Sequence, residues 1–165
     1  MLLDTIFLIK NLTSQASTVT DLLYAWGRNN FGQLGNGESE ILISPIQIGT
    51  SSWTSVSAGY AHTAAIRNGG SLFTWGYNGF GQLGNSTTTN RSSPVQIGTS
   101  SWTSVSAGRY TTAAIRSDDK LFTWGANILG VLGDSSVSRS SPVQVGSLSW
   151  SKVDSGRNHT VAIPK

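Results

Sequence analysis

The sequence repeats itself. Trp26, Trp75 and Trp124 stand 49 residues apart, and the residues around each recur with it. The middle copy runs Leu72-Phe73-Thr74-Trp75-Gly76-Tyr77-Asn78-Gly79-Phe80-Gly81-Gln82-Leu83-Gly84; the first spans Leu23 to Gly35 and the third Leu121 to Gly133. A fixed period of this length constrains the fold more than any local motif does. Each period is one supersecondary unit that cannot bury its apolar face alone and must stack on its neighbour.

Within a unit the pattern is β throughout. Ser71 to Trp75 alternates with an aromatic bias and predicts a strand that ends in the glycine turn Gly76 to Gly84. A polar loop, Asn85 to Ser93, follows. Pro94-Val95-Gln96-Ile97-Gly98 is a short strand opened by proline, which belongs at a sheet edge. Trp102 to Gly108 and Thr111 to Arg116 complete the unit, and a turn such as Asn68-Gly69-Gly70 or Ser117-Asp118-Asp119 leads to the next aromatic strand. Four short strands per 49 residues make an all-β chain of propeller-type blades, each of four antiparallel strands. The units run about 22–70, 71–119 and 120–163, giving three blades per chain, with residues 1–21 as an N-terminal arm. Ala64-Ala65 and Ala113-Ala114 suit crowded positions near the axis, and two tryptophans per unit predict equivalent sites between blades.

Hydrophobic content of 38% and charged content of 12% support a folded core rather than a disordered tail. A net charge of +3 is a weak pull on anions and no nucleic-acid signature. The absence of cysteine excludes a disulfide frame, a thiolate metal site and a cysteine nucleophile. No apolar run approaches the ~20 residues of a membrane helix. Met1 to Lys10 is apolar but lacks a basic start, carries Asp4 and is followed by no clear cleavage site, so it reads as an arm or strand (Thr5 to Ile9) ahead of a polar loop from Asn11. No compartment is assigned.

Each motif with chemical meaning also has a plain structural reading. Gly79-Phe80-Gly81-Gln82-Leu83-Gly84 matches the glycine spacing of a dinucleotide loop, but the polar run Asn85 to Asn90 stands where a helix should open, so the glycines read as turn residues. His62 and His159 occupy equivalent positions, which argues for a structural bond rather than catalysis. The acidic residues are scattered and suggest neither a metal loop nor a catalytic pair. The chain therefore reads as a non-enzyme with no cofactor and no metal. Arg91 and Arg139 each precede a strand proline by three residues, and Arg109 and Arg157 each follow a turn glycine. Repetition would set these four on one face as an anion-contacting rim, or as a solvated polar edge.

The run Ala58-Gly59-Tyr60-Ala61-His62-Thr63, then Leu72 to Gly76, Asn78-Gly79, Gly81 to Gly84 and Pro94-Val95, resembles the repeats of the regulator-of-chromosome-condensation family. That resemblance covers residues 22–163 and implies blades of the kind that family closes into seven-bladed rings. Its best-known activity would be guanine-nucleotide exchange on a small GTPase, with chromatin binding. The third copy departs: Ile128 and Leu129 replace Gly79 and Phe80, Val131 replaces Gln82, and Thr111 replaces the histidine.

The repeat starts on the aromatic strand, Leu22 to Trp26, and stops on the strand that should precede it, His159 to Ile163. Both ends therefore carry part of a split blade, with Leu22, Leu23, Tyr24, Trp26, His159, Val161 and Ile163 at unpaired edges. Such edges invite a protein partner or self-association. The function expected is a structural or protein-interaction scaffold in a larger assembly such as a virus particle or surface array. Nucleotide exchange or chromatin binding, and carbohydrate or surface adhesion, are the alternatives.

Overall fold

The computed structural model describes residues 21–134 and 137–165. The arm's expected strand at Thr5 to Ile9 and most of its loop lie outside these. The described residues hold ten strands: β1 (Leu22–Gly27), β2 (Leu42–Ala58), β3 (His62–Arg67), β4 (Ser71–Gly76), β5 (Arg91–Ala107), β6 (Thr111–Arg116), β7 (Leu121–Gly125), β8 (Arg139–Gln144), β9 (Trp150–Ser155) and β10 (Thr160–Pro164). One short 3-10 turn, Ile128–Gly130, interrupts the pattern.

All pairings are antiparallel, and neighbours in sequence are neighbours in the sheet from β1 to β8; β9 and β10 form a separate pair. The expected short strands at Pro45 and Trp53 are one 17-residue strand, β2, and β5 repeats this at Pro94 and Trp102. Each long strand serves two sheets. β2 pairs with β1 over Leu42 to Ser52, then with β3 over Trp53 to Ala58. The first full blade is thus the end of β2, then β3, β4 and the start of β5. The second is the end of β5, then β6, β7 and β8. β1 with the start of β2 is a leading half-blade, and β9 with β10 is a trailing one. The strands of three blades are present as two whole blades and two halves at opposite ends of the arc. Pro94 lies in the outermost strand of its blade, paired on one side only, where its missing N–H costs no ladder bond.

The strands nearest the axis are those from Trp53, Trp102 and Trp150, because they bond to one another across blades. Ser57 Oγ accepts from Ala107 N at 2.9 Å, and Ser106 Oγ accepts from Ser155 N at 2.8 Å. The aromatic strands are third from the axis. The alanine pairs sit on the second strands and are wholly buried, since a neighbouring sheet presses on each face.

The core is a series of joints between sheets. Leu23 of the leading half-blade packs on Trp53, Ala65, Phe73 and Trp75. Ala64, Ile66 and Leu72 pack on Trp102, Val105, Ala114 and Trp124. Ala113, Ile115 and Leu121 pack on Trp150, Val153 and Ala162. From the leading half-blade to the second full blade, each sheet thus has a face that meets the back of the next. Gly76 ends β4 at φ +104°, as a turn there requires, and a Cβ on it would lie 2.6 Å from Ala61 O and 2.7 Å from His62 Cα. Gly76→Ala is expected to cost about 2–3 kcal/mol from positive φ and overpacking combined; an unchanged melting temperature would refute this turn geometry.

Candidate functional site: the open blade faces

Each aromatic strand is followed by a loop that an asparagine organises. Asn78 is fully buried. Its Oδ1 accepts from Leu83 N at 2.9 Å, while Nδ2 donates to Thr87 O at 2.9 Å and Thr89 O at 3.1 Å. Asn29 and Asn127 repeat the bond to Leu34 N and Leu132 N, at 3.0 and 3.1 Å. The neighbouring glutamine fixes the turn from the other side: Gln33 Oε1 accepts from Phe31 N and Gln82 Oε1 from Phe80 N, both at 3.0 Å. In the third copy Val131 cannot accept this bond, and the same stretch folds as the 3-10 turn with Leu129 at φ 62°. In the sequence Asn78 and Gln82 count only among the residues that carry the family resemblance, with no role for their amides, although Asn29, Asn78 and Asn127 recur at the same 49-residue period as the tryptophans.

These loops hold a glycine against the tryptophan of the following blade. A Cβ on Gly35 would come within 2.6 Å of Trp75 Nε1, and one on Gly84 within 2.6 Å of Trp124 Nε1. Only glycine allows the indole to lie so close. Trp124 Nε1 also donates to Gln82 O at 2.9 Å. The third seat, Gly133, has among the described residues only Val145 Cγ1 near it, at 3.3 Å. Trp75 and Trp124 are 1% and 0% exposed; Trp26, their equivalent in β1, is 59% exposed.

The edge residues divide by side. Leu23 packs inward, Leu22 is half-buried, and Tyr24 and Trp26 project from the back of the leading half-blade. At the other end Ala162 packs inward while Val161, Ile163 and His159 are exposed. Beside Gly133 the trailing joint leaves a cavity of about 350 Å³ lined by Leu121, Val131, Leu132, Val145 and Trp150 among others. The alternation of side chains along the two end strands separates the residues that face outward from those that pack.

The four arginines lie at the same end of the blades but do not form one rim. Arg109 and Arg157 line an axial recess of about 450 Å³ with Tyr60. The Arg109 guanidinium lies 4.8 Å from the Tyr110 ring and 5.7 Å from that of Tyr60, at stacking range. Arg91 and Arg139 begin the outer strands, where Arg139 pairs with Asp134 at 2.6 Å. An aromatic run that sequence reasoning missed crosses this end: Phe31 to Tyr77 at 4.8 Å, Tyr77 to Tyr110 at 6.0 Å and Tyr110 to Tyr60 at 5.9 Å. Its members hold different repeat positions, so the period does not reveal it. Among the described residues no three His, Asp or Glu side chains cluster as a metal site would need.

His62 is buried in the joint between the full blades. Thr112 Oγ1 donates to Gln82 O at 2.8 Å, so it accepts from His62 Nε2–H at 2.9 Å, which assigns the neutral tautomer. Burial lowers the ring from 6.5 to about 4, against a smaller upward pull from the Thr111 backbone. The unfolded chain therefore binds this proton more tightly, and stability should fall as pH drops from 6.5 to about 4, with no further loss from His62 below that. His62→Gln, which keeps a donor, is expected to remove this component of the melting-temperature profile; an identical profile in the variant would contradict it.

The family described as the regulator of chromosome condensation (RCC1) repeat matches residues 21–66, 69–115 and 118–163. A second description of the same repeat matches 53–82 and 102–130. No curated protein sequence matches. Among solved structures, Prp20p from Saccharomyces cerevisiae superposes with TM-score 0.77 at 19% identity over 87% of this chain and 40% of that one. Yeast RCC1 (Prp20) in its complex with Kap60 gives TM-score 0.75 at 21% identity, over 86% of this chain and 37% of that one. Human WBSCR16 gives TM-score 0.60 at 20% identity, over 90% of this chain and 54% of that one. The chain thus spans about two fifths of the first two. These likenesses show the fold.

Proposed function

The chain belongs to the regulator of chromosome condensation repeat family, and on that premise we propose that it is a non-enzymatic interaction scaffold whose open half-blades are docking faces for complementary strands. One observation carries this: Trp26 is 59% exposed, while the same residue is buried wherever a blade precedes it. Among the described residues β1 has a strand on one side only, and an aromatic face at such an edge is a template for one more pair of strands. The setting we favour is an assembly, such as a virus particle or surface array, in which neighbours complete one another's edges.

The test is strand addition. A synthetic hairpin of residues 53–67, the inner strand pair that accompanies β4, is added at chain concentrations where Trp26 is open to iodide. It is expected to bind and shield Trp26. No binding, with Trp26 quenched equally at every peptide concentration, would contradict the reading.

A second reading, surface or carbohydrate adhesion, draws on the aromatic run and the Arg109–Arg157 recess, and a glycan array tests it. Prp20p was studied for its binding to Gsp1p and histones. Nucleotide exchange by this chain is the remaining alternative. The scaffold reading expects no faster nucleotide release from a loaded GTPase.

A further inference from the structure

We propose that the occupant of the open faces is a second copy of this chain, joined head to tail, with Trp26 of one copy seated on Gly133 of the other. The proposal rests on the docking-face reading above and names its partner. The two faces complement each other by contacts the molecule already makes within itself: the tryptophan seat and the apolar packing twice, the histidine–threonine bond once.

The first is the tryptophan seat. Trp75 lies on Gly35 and Trp124 on Gly84. Among the described residues one seat, Gly133, has no indole, and one indole, Trp26, has no seat. The cavity beside Gly133 is walled by Leu121, Val131 and Leu132. These stand where Leu72, Gln82 and Leu83 stand beside Trp124.

The second is a hydrogen bond. His62 donates to Thr112, whose hydroxyl proton is held by Gln82 O. At the open ends, Thr63 Oγ1 donates to Gln33 O at 2.7 Å in the same way, and His159 is exposed at the position equivalent to His62. Thr63 of one copy is thus oriented to accept from His159 of the other.

The third is apolar. Ala64 and Ile66 cover Val105, which is 7% exposed. Their equivalents Val161 and Ile163 are 57% and 56% exposed, and Val56, the equivalent of Val105, is 54% exposed. Bringing the faces together buries all three.

The pairing has a defined register. Thr63, Ala64 and Ala65 oppose Trp75, Thr74 and Phe73 within the first full blade. The same register sets Thr160, Val161 and Ala162 opposite Trp26, Ala25 and Tyr24 of the other copy, and β9, β10, β1 and the start of β2 become a four-stranded blade. The contact is heterologous, so it must close on itself or propagate. Two copies carry the strands of about six blades, inside the range of four to eight that rings adopt.

The test uses the full chain. Its mass in solution is expected at twice 17.5 kDa, and Trp26→Ala is expected to weaken association by about 30-fold or more, the range for a truncated aromatic hot spot. Because the chain has no cysteine, Ala25→Cys with Val161→Cys should give a covalent dimer on oxidation. Ala25→Cys with Ile163→Cys should not, since diagonal neighbours lie about 7–8 Å apart, too far for a disulfide. A dimer that Trp26→Ala leaves intact, or one in which the off-register pair cross-links equally well, overturns the proposal. A monomer at every concentration that still takes up the 53–67 hairpin overturns the second copy alone. A monomer that refuses the hairpin, its edge covered by residues 1–20 or by nothing, overturns the docking-face reading as well.

Discussion

Trp75→Ala is expected to lower folding stability by about 3–5 kcal/mol, the range for deleting a buried aromatic. The indole is 1% exposed and lies 5.9 Å, centroid to centroid, from Trp53, in the cluster that also holds Ala65, Phe73 and Leu23. Its removal leaves a cavity between two sheets whose backbones are held by their own ladders and cannot collapse to fill it. Trp26→Ala, at dilutions where the chain is monomeric, is expected to cost less than about 1 kcal/mol, because a side chain on an open face leaves no cavity behind. Urea denaturation of the two variants compares identical chemistry at equivalent repeat positions. Equal losses would mean that something in the monomer covers Trp26. A small loss at both would mean that the joint between blades does not carry the stability assigned to it.

Asn78→Ala is expected to cost about 3–4 kcal/mol, because several buried polar groups lose their partner at once. Leu83 N, Thr87 O and Thr89 O all bond to this one amide. Asn78→Asp should rescue little. A carboxylate can still accept from Leu83 N, but it cannot donate to the two carbonyls and turns an acceptor toward them. The melting temperature measures the loss. Faster proteolytic cleavage between residues 85 and 90 would locate it in the loop, and an Asp variant as stable as the wild type would contradict the assigned roles of the amide.

These two residues mark how far the sequence could be read. The tryptophan period exposed the blades, the packed joints and the split ends, because buried aromatic positions tolerate few replacements and so recur. The orphaned first copy, Leu22 to Trp26, could be picked out by counting strands alone. Asn78 recurs just as strictly, yet its type is common in turns, and nothing in a one-dimensional pattern says that its amide is buried and fully bonded. The joining of the Pro45 and Trp53 segments into one strand was also hidden: glycine and serine between two short apolar runs give no strand signal, whereas the strand runs through them as a bulge, with Gln47 and Ser52 pairing to Tyr24 and Leu22. The arginines show the opposite limit. Repeat position sends Arg109 and Arg157 to the axis and Arg91 and Arg139 to the outer strands. That Arg139 meets Asp134, and that Arg109 lies over Tyr60 and Tyr110, depends on loops that differ between copies.

The most direct measurement of the central claim is the accessibility of Trp26 as the chain is diluted, taken as the difference in iodide quenching between the wild type and Trp26→Phe. The account predicts that Trp26 is shielded at high concentration, where blades are completed, and becomes fully quenchable at low concentration as the copies separate. A Trp26 open to iodide at every concentration, or shielded at every dilution, would contradict it.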